Sequence, residues 1–146
     1  MRLARHTNAV RVITAIHEES TMSHHSILVV DDEPDVQMLL RLFLERQGHV
    51  VYVARDGHEA VEVARLHRPD VIVMDIQMPR KDGVEAVREL RADPYFAATP
   101  IIALTAHVRS YVPAEVMRAG FDEVLAKPFD FGQVYEVITT LLQRAR

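Results

Sequence analysis

The sequence predicts an α/β fold, a doubly wound five-stranded parallel sheet with helices on both faces. Three observations carry this. Five short apolar runs, mostly β-branched, recur from residue 26 onward. Amphipathic stretches of helical spacing lie between them. The strand-then-helix order repeats five times, an alternation that short connections accommodate as a parallel sheet rather than hairpins.

The first run, Ile27 to Val30, is apolar at every position, as expected of a strand covered on both faces. A helix follows, with Pro34 at its first position, Val36, Leu39, Leu40 and Phe43 at i, i+3, i+4, i+7 spacing, and Gly48 at its stop. The second run is Val50 to Val53, and Ala60, Val63, Ala64 and His67 repeat the helical spacing after it. The third run is Val71 to Met74; a helix from about Asp82 to Asp93 should end before Pro94. The fourth run is Ile101 to Leu104. Pro113 would break a helix beginning at Ala106, so the next helix is expected from near Pro113 to Gly120, after an unusually long loop. The fifth run is Phe121 to Leu125, and the last helix carries Val134, Val137, Ile138, Leu141 and Leu142 on one face.

Composition narrows the function classes. A chain of 146 residues with 49% apolar and 26% charged residues is long enough for one well-filled core. Cysteine is absent, which excludes disulfides, thiolate nucleophiles and cysteine-bearing zinc sites. A net charge of −4 with scattered arginines argues against a nucleic-acid footprint, and apolar runs this short argue against a membrane span. Of 17 basic residues only two are lysine, Lys81 and Lys127.

Ligands of doubly wound sheets bind outside the carboxyl ends of the strands. The first strand ends in Asp31-Asp32-Glu33, the third in Asp75, the fourth in Thr105, and the fifth is followed by Lys127-Pro128. Three neighbouring carboxylates raise one another's pKa, and a hard divalent cation with oxygen ligands relieves that repulsion. Helix capping is the plain alternative for Asp31 and Asp32; it does not account for Asp75 on another strand. A carboxylate can also act as nucleophile toward phosphorus, given a cation to neutralise the equatorial oxygens. Lys127 is a compact point charge suited to that task.

These stretches resemble the receiver domain of bacterial two-component response regulators. The matching motifs are Ile27-Leu-Val-Val-Asp-Asp-Glu-Pro34, Val73-Met-Asp-Ile-Gln-Met-Pro79 with Asp82-Gly83, Ile101-Ile-Ala-Leu-Thr-Ala106 and Ala126-Lys-Pro-Phe129. The similarity runs from about residue 26 to 144. It implies a flavodoxin-like receiver fold with strand order 2-1-3-4-5 and a domain over residues 26–146. It further implies that Asp75 is the phosphoacceptor, that Asp32 ligates Mg²⁺ (Mn²⁺ as a substitute) directly and Asp31 through water, and that the Gln77 backbone carbonyl adds a ligand. Lys127 and Thr105 would contact the phosphoryl oxygens, and Lys127-Pro128 would be cis. A histidine kinase or histidine phosphotransfer protein would be the donor and an unknown downstream protein the target, in a cytoplasmic, stand-alone receiver without nucleic-acid or membrane contact.

Several residues depart from the family pattern. Val124 stands where an aromatic residue is common, three before Lys127, and a valine cannot make the usual inward swing of a ring. The expected substitute is the long loop from Ala106 to Val112 with Tyr111 as the moving ring. Gln77 and His107, two residues beyond Asp75 and Thr105, flank the phosphoryl position and are expected to modulate its lifetime. Most of the histidines are expected on helix surfaces, with His24-His25 a solvated chain start, and Lys81 is expected in an exposed loop. Residues 1–25 fall outside the similarity and are expected to be a disordered extension or a misassigned start, with Met22 the alternative beginning. Ala9, Val12, Ile13 and Ile16 share one helical face there, but isolated helices of that size are marginal. Arg11 and His17 break any secretory apolar region.

Two other classes compete. A haloacid-dehalogenase-like phosphatase would want a second Asp two residues after the first, where Gln77 stands. A degenerate receiver that only binds partners would lack an acid, the threonine or the lysine, and all are here.

Overall fold

The computed structural model describes residues 24–106 and 114–144. The strands are β1 (Ser26–Val30), β2 (Val50–Ala54), β3 (Val71–Asp75), β4 (Ile101–Thr105) and β5 (Glu123–Ala126). The helices are α1 (Pro34–Arg46), α2 (Gly57–His67), α3 (Gly83–Arg91), α4 (Ala114–Ala119) and α5 (Phe131–Arg144), with a 3₁₀ turn at Pro94–Phe96. All strand pairs are parallel and the order is β2-β1-β3-β4-β5, a flavodoxin-like receiver fold.

The apolar strands divide their side chains between two cores, because alternate residues face opposite sides of a sheet. Leu28, Val30, Ile72, Met74, Ile101 and Ala103 pack with α2, α3 and α4. Ile27, Val29, Val71, Val73, Ile102 and Leu104 pack with Leu40 and Leu44 of α1 and with Val134 and Ile138 of α5. The expected alternation of two-sided burial is therefore present in β1, β3 and β4. Among the described residues no helix is long and apolar enough to cross a membrane.

Element boundaries shift where side chains cap. Asp82 accepts a hydrogen bond from the Glu85 N–H and so precedes α3 rather than opening it. The helix stops at Arg91, and Asp93 caps the 3₁₀ turn instead of ending α3. Phe121 is buried ahead of β5, which begins two residues later than expected. Leu39 is a correction: the spacing places it on the buried face of α1, but it is 49% exposed, beside exposed Met38 and Leu42. The buried stripe of α1 is carried by Leu40 and Leu44. Gly48 does sit at the helix stop, with φ 94° in the left-handed region.

One arginine ties three elements together. Arg91, at the end of α3, donates to the carbonyls of Phe96, Thr99 and Gly120 and pairs with Asp122. Asp122 in turn accepts from the Ile101 N–H at the start of β4. Gly120 has φ 122°, and a Cβ there would lie 2.8 Å from Arg91 Cγ.

The extension over residues 1–23, His107, Tyr111 and most of the loop after Ala106 lie outside the described residues.

Candidate functional site

Strand register assembles the site. Val30 pairs with Met74, so the next residues, Asp31 and Asp75, emerge side by side at the C-terminal edge. Asp75 pairs with Leu104, which brings Thr105 one step beyond it, and Thr105 pairs with Ala126, the residue before Lys127. The Lys127 N–H bonds to the Thr105 carbonyl at 2.8 Å. The Lys127-Pro128 peptide is cis, as the resemblance implies.

Asp31, Asp32 and Asp75 each bring one carboxylate oxygen to within 4.8 Å of the others. Asp31 is fully buried, Asp75 is buried and Asp32 is exposed. Lys127 Nζ reaches both buried acids, 2.9 Å from Asp31 Oδ2 and 3.2 Å from Asp75 Oδ2, with Glu33 Oε1 at 3.6 Å. The other oxygen of Asp75 accepts from the Gln77 N–H at 3.1 Å.

Electrostatics follow from this crowding. Burial pushes the Asp75 carboxyl up to about 6; Lys127 pulls against that rise, and the charge of Asp31 adds to it. Burial pulls the Lys127 ammonium down, but the hydrogen bonds and charges of Asp31 and Asp75 outweigh it and hold the group above its ordinary value. One lysine thus serves two buried carboxylates. The donor set is all oxygen and carries excess negative charge, which fits a small hard cation such as Mg²⁺.

The capping alternative for Asp31 and Asp32 fails. Glu33 occupies the N-cap of α1 and makes no side-chain cap bond. Asp31 Oδ1 instead accepts from the Glu33 N–H at 2.9 Å, turning the chain toward the helix. Gly83 lets α3 start against the end of β3: a Cβ there would lie 2.5 Å from the Asp75 carbonyl oxygen. The Gly83 N–H bonds to Ile76 O at 2.9 Å.

Beside Lys127 opens a cleft of about 500 Å³ between α1 and the β5–α5 connection, lined by Glu33, Val36, Leu39, Phe129 and Phe131 among others. Thr105 is buried, Val124 is half-buried against the α2–α4 core, and Gln77 is exposed. Glu33 as a partner of Lys127 escaped the sequence analysis, although it stands beside the acidic pair.

One sequence expectation away from the site is corrected. Lys81 is not in an exposed loop: its side chain is 17% exposed and pairs with Glu89 of α3. His49 is among the histidines that lie off the helix surfaces. It is 5% exposed, its Nδ1 accepts from the His25 N–H at 3.2 Å, and its Nε2 lies 3.4 Å from the Tyr135 hydroxyl.

Comparisons with known proteins converge on this architecture. The family model described as "Response regulator receiver domain" matches residues 27–139. An uncharacterized 14.6 kDa protein of Leptolyngbya boryana is 40% identical over 110 residues, covering 75% of this chain and 84% of that one. The alkaline phosphatase synthesis transcriptional regulatory protein PhoP of Bacillus subtilis is 37% identical over 119 residues, 82% of this chain. The chain spans only 49% of that regulator's length. Among solved structures, the receiver domain of the sensor histidine kinase PA1611 from Pseudomonas aeruginosa, with a magnesium ion coordinated in its active-site cleft, matches with TM-score 0.77 and 34% identity. That match covers 83% of this chain and 99% of the other. The chemotaxis response regulator CheY4 of Vibrio cholerae matches with TM-score 0.77 and 29% identity, covering 82% and 99% of the two chains.

Proposed function

Because the chain belongs to the response regulator receiver domains, we propose that it accepts a phosphoryl group on Asp75 from a phosphohistidine and signals through the phosphorylated form. One observation carries this: three carboxylates converge within 4.8 Å while Lys127 holds Asp75 at 3.2 Å. Capping or a purely structural ion pair would not gather them at one edge.

In the transfer, an oxygen of Asp75 attacks phosphorus as the phosphorus–nitrogen bond to the donor imidazole breaks. The products are an aspartyl phosphate and a free imidazole. Water later breaks the new phosphorus–oxygen bond, returning carboxylate and inorganic phosphate. Gln77 N–H on one oxygen and Lys127 on the other fix the rotation of the carboxylate before attack. Lys127 then moves its charge to the phosphoryl oxygens, and Thr105, at the end of β4, donates its hydroxyl to one of them. Asp32 would hold Mg²⁺ directly, Asp31 through water, and the Gln77 carbonyl would complete the protein's share. Bound there, Mg²⁺ or Mn²⁺ supplies Lewis-acid neutralisation of the transferred group.

The donor is a histidine kinase or phosphotransfer protein, and the phosphorylated surface binds a downstream protein or passes the group on. No nucleic-acid or membrane contact enters this scheme, and the cytoplasm is its compartment. With Val124 in place of an aromatic ring, the switch runs through the loop that carries Tyr111, and His107 tunes dephosphorylation. His107→Ala is expected to change the half-life of the phosphorylated form; equal half-lives between pH 6 and 8 would remove that role.

Incubation with acetyl phosphate and Mg²⁺ followed by intact mass is the central test. The expected gain is about 80 Da, one phosphoryl group, absent in Asp75→Asn. Absence of an adduct from every donor would overturn the proposal, and multiple turnover of phosphate esters would point to a phosphatase.

A further inference from the structure

The turn that carries Asp31 and Asp32 is closed within itself by one bond, from the Glu33 N–H to Asp31 Oδ1. Pro34 brings no N–H, and Glu33 makes no side-chain cap bond. The carboxylates it presents repel Asp75 across the edge. Gln37, from the first turn of α1, adds a side-chain tie to the neighbouring strand. Gln37 Nε2 donates to the Ala54 carbonyl at 3.0 Å and to the Asp31 carbonyl at 3.3 Å. Ala54 O also accepts from the Asp31 N–H at 3.1 Å. The Gln37 backbone N–H closes on Glu33 O at 3.1 Å. One amide thus clamps the peptide between Asp31 and Asp32 to the end of β2.

We infer that Gln37 is a positioning residue for the cation site, setting the plane of the Asp31–Asp32 peptide and with it the aim of the exposed Asp32. The inference rests on the proposed Mg²⁺ binding and deepens it. The side chain touches none of the carboxylate oxygens; it acts through the carbonyl that fixes their backbone. Groups that orient a metal's ligands, rather than ligating it, typically change affinity by about ten-fold or more. An amide is the fitting group, because both partners are carbonyls and only donors satisfy them.

The test uses the whole chain and four proteins: wild type, Gln37→Met, Gln37→Glu and Gln37→Arg. Titration calorimetry with MgCl₂ reads the dissociation constant, and hydrogen exchange of the Asp31 and Glu33 amides in EDTA reads the turn without metal. Gln37→Met, similar in shape but without a donor, is expected to weaken Mg²⁺ about ten-fold and to speed both amides roughly five-fold. Gln37→Glu, which faces carbonyls with acceptors, should speed both amides in EDTA at least as much as Gln37→Met. Gln37→Arg restores a donor and should return both amides in EDTA to within about two-fold of wild type.

An unchanged constant in Gln37→Met overturns the inference. So does amide exchange in EDTA that Gln37→Arg fails to slow, since that marks a position intolerant of change rather than a need for a donor. If Gln37→Met melts far below wild type in EDTA, the contrast between Gln37→Glu and Gln37→Arg decides in the same way. A wild type that binds no Mg²⁺ while its amides still depend on Gln37 sinks the cation proposal itself, and the exchange data tell the two failures apart.

Discussion

At the C-terminal edge of the sheet, Asp31 and Asp75 lie side by side with the one ammonium of Lys127 serving both. At the N-terminal edge, His49 is buried between the His25 N–H and the Tyr135 hydroxyl, with its Nδ1 accepting and therefore unprotonated. Both edges bury a titratable group, and in both burial disfavours the charged form: Asp75 rises to about 6, and His49 falls below the usual imidazole value, through burial and then the neighbouring charges of His25 and His24. The difference lies in what satisfies the group. His49 finds neutral partners within the fold and closes the edge. Asp75 shares its one cationic partner with a carboxylate neighbour, so negative charge stays in excess at that edge, as the proposed function requires.

The contrast breaks most sharply at Lys127. Lys127→Met leaves Asp31, with 0% side-chain exposure, facing Asp75 unpaired. A loss of about 3–5 kcal/mol in EDTA is expected by denaturant unfolding. Added Mg²⁺ should recover part of it; a loss below about 1 kcal/mol would show that the pair is not held against repulsion.

Asp75→Asn comes next and runs the other way. The folded pKa of Asp75, about 6, lies above its ordinary 3.8, so the folded state binds the proton more tightly than the unfolded one. The stability this carries is complete below the ordinary value and is lost as pH rises through about 6. Removing the charge should therefore stabilise the metal-free protein by about 2 kcal/mol at pH 8, with little effect at pH 4. Mg²⁺ should reverse the ranking by raising the melting temperature of the wild type more. Equal stabilities at pH 8 in EDTA would refute it.

At the other edge the sign inverts. His49 is held below its usual value, so its contribution is complete above that value and is lost as pH falls through the lower folded one. His49→Gln should flatten the acid limb of the stability profile without touching the limb above pH 7. A mutant whose acid limb is as steep as wild type would assign that limb to other groups.

The smallest effect is expected at Tyr135→Phe, which removes the hydroxyl facing His49 Nε2 at 3.4 Å. At that length the loss should be about 0.5–1 kcal/mol, read from the denaturation midpoint.

What was legible in the sequence follows the same division. The C-terminal edge could be read because strand register translates position into proximity: a residue just past each apolar run must stand at one edge, and Asp31, Asp75, Thr105 and Lys127 do. The strand order itself came from the likeness to receivers rather than from spacing. The N-terminal edge could not be read, since His49 meets a tyrosine 86 residues away on α5 and nothing near it in sequence marks the contact. Lys81 was misjudged for a related reason: Glu89 on α3 draws it inward, and loop position alone suggests solvent. Gln37 left no signal because its partners are carbonyls, which every residue has. Leu39 shows the limit of helical periodicity: Leu40 and Leu44 are buried and Val36 and Phe43 half-buried against the core, while Leu39 on the same apolar face is exposed.

The Arg91 node has a mechanical consequence. By gripping the Gly120 carbonyl with two nitrogens while holding Asp122 at the start of the β5 segment, it fixes the last residue after α4 to α3 and β4. This six-residue helix is therefore anchored unevenly, firmly at its C-terminal end and at its start by buried Val116 and the exposed Glu115–Arg88 pair. Arg91→Ala would release the firmly held end, and a probe on Met117, exposed in mid-helix, would report the loosening.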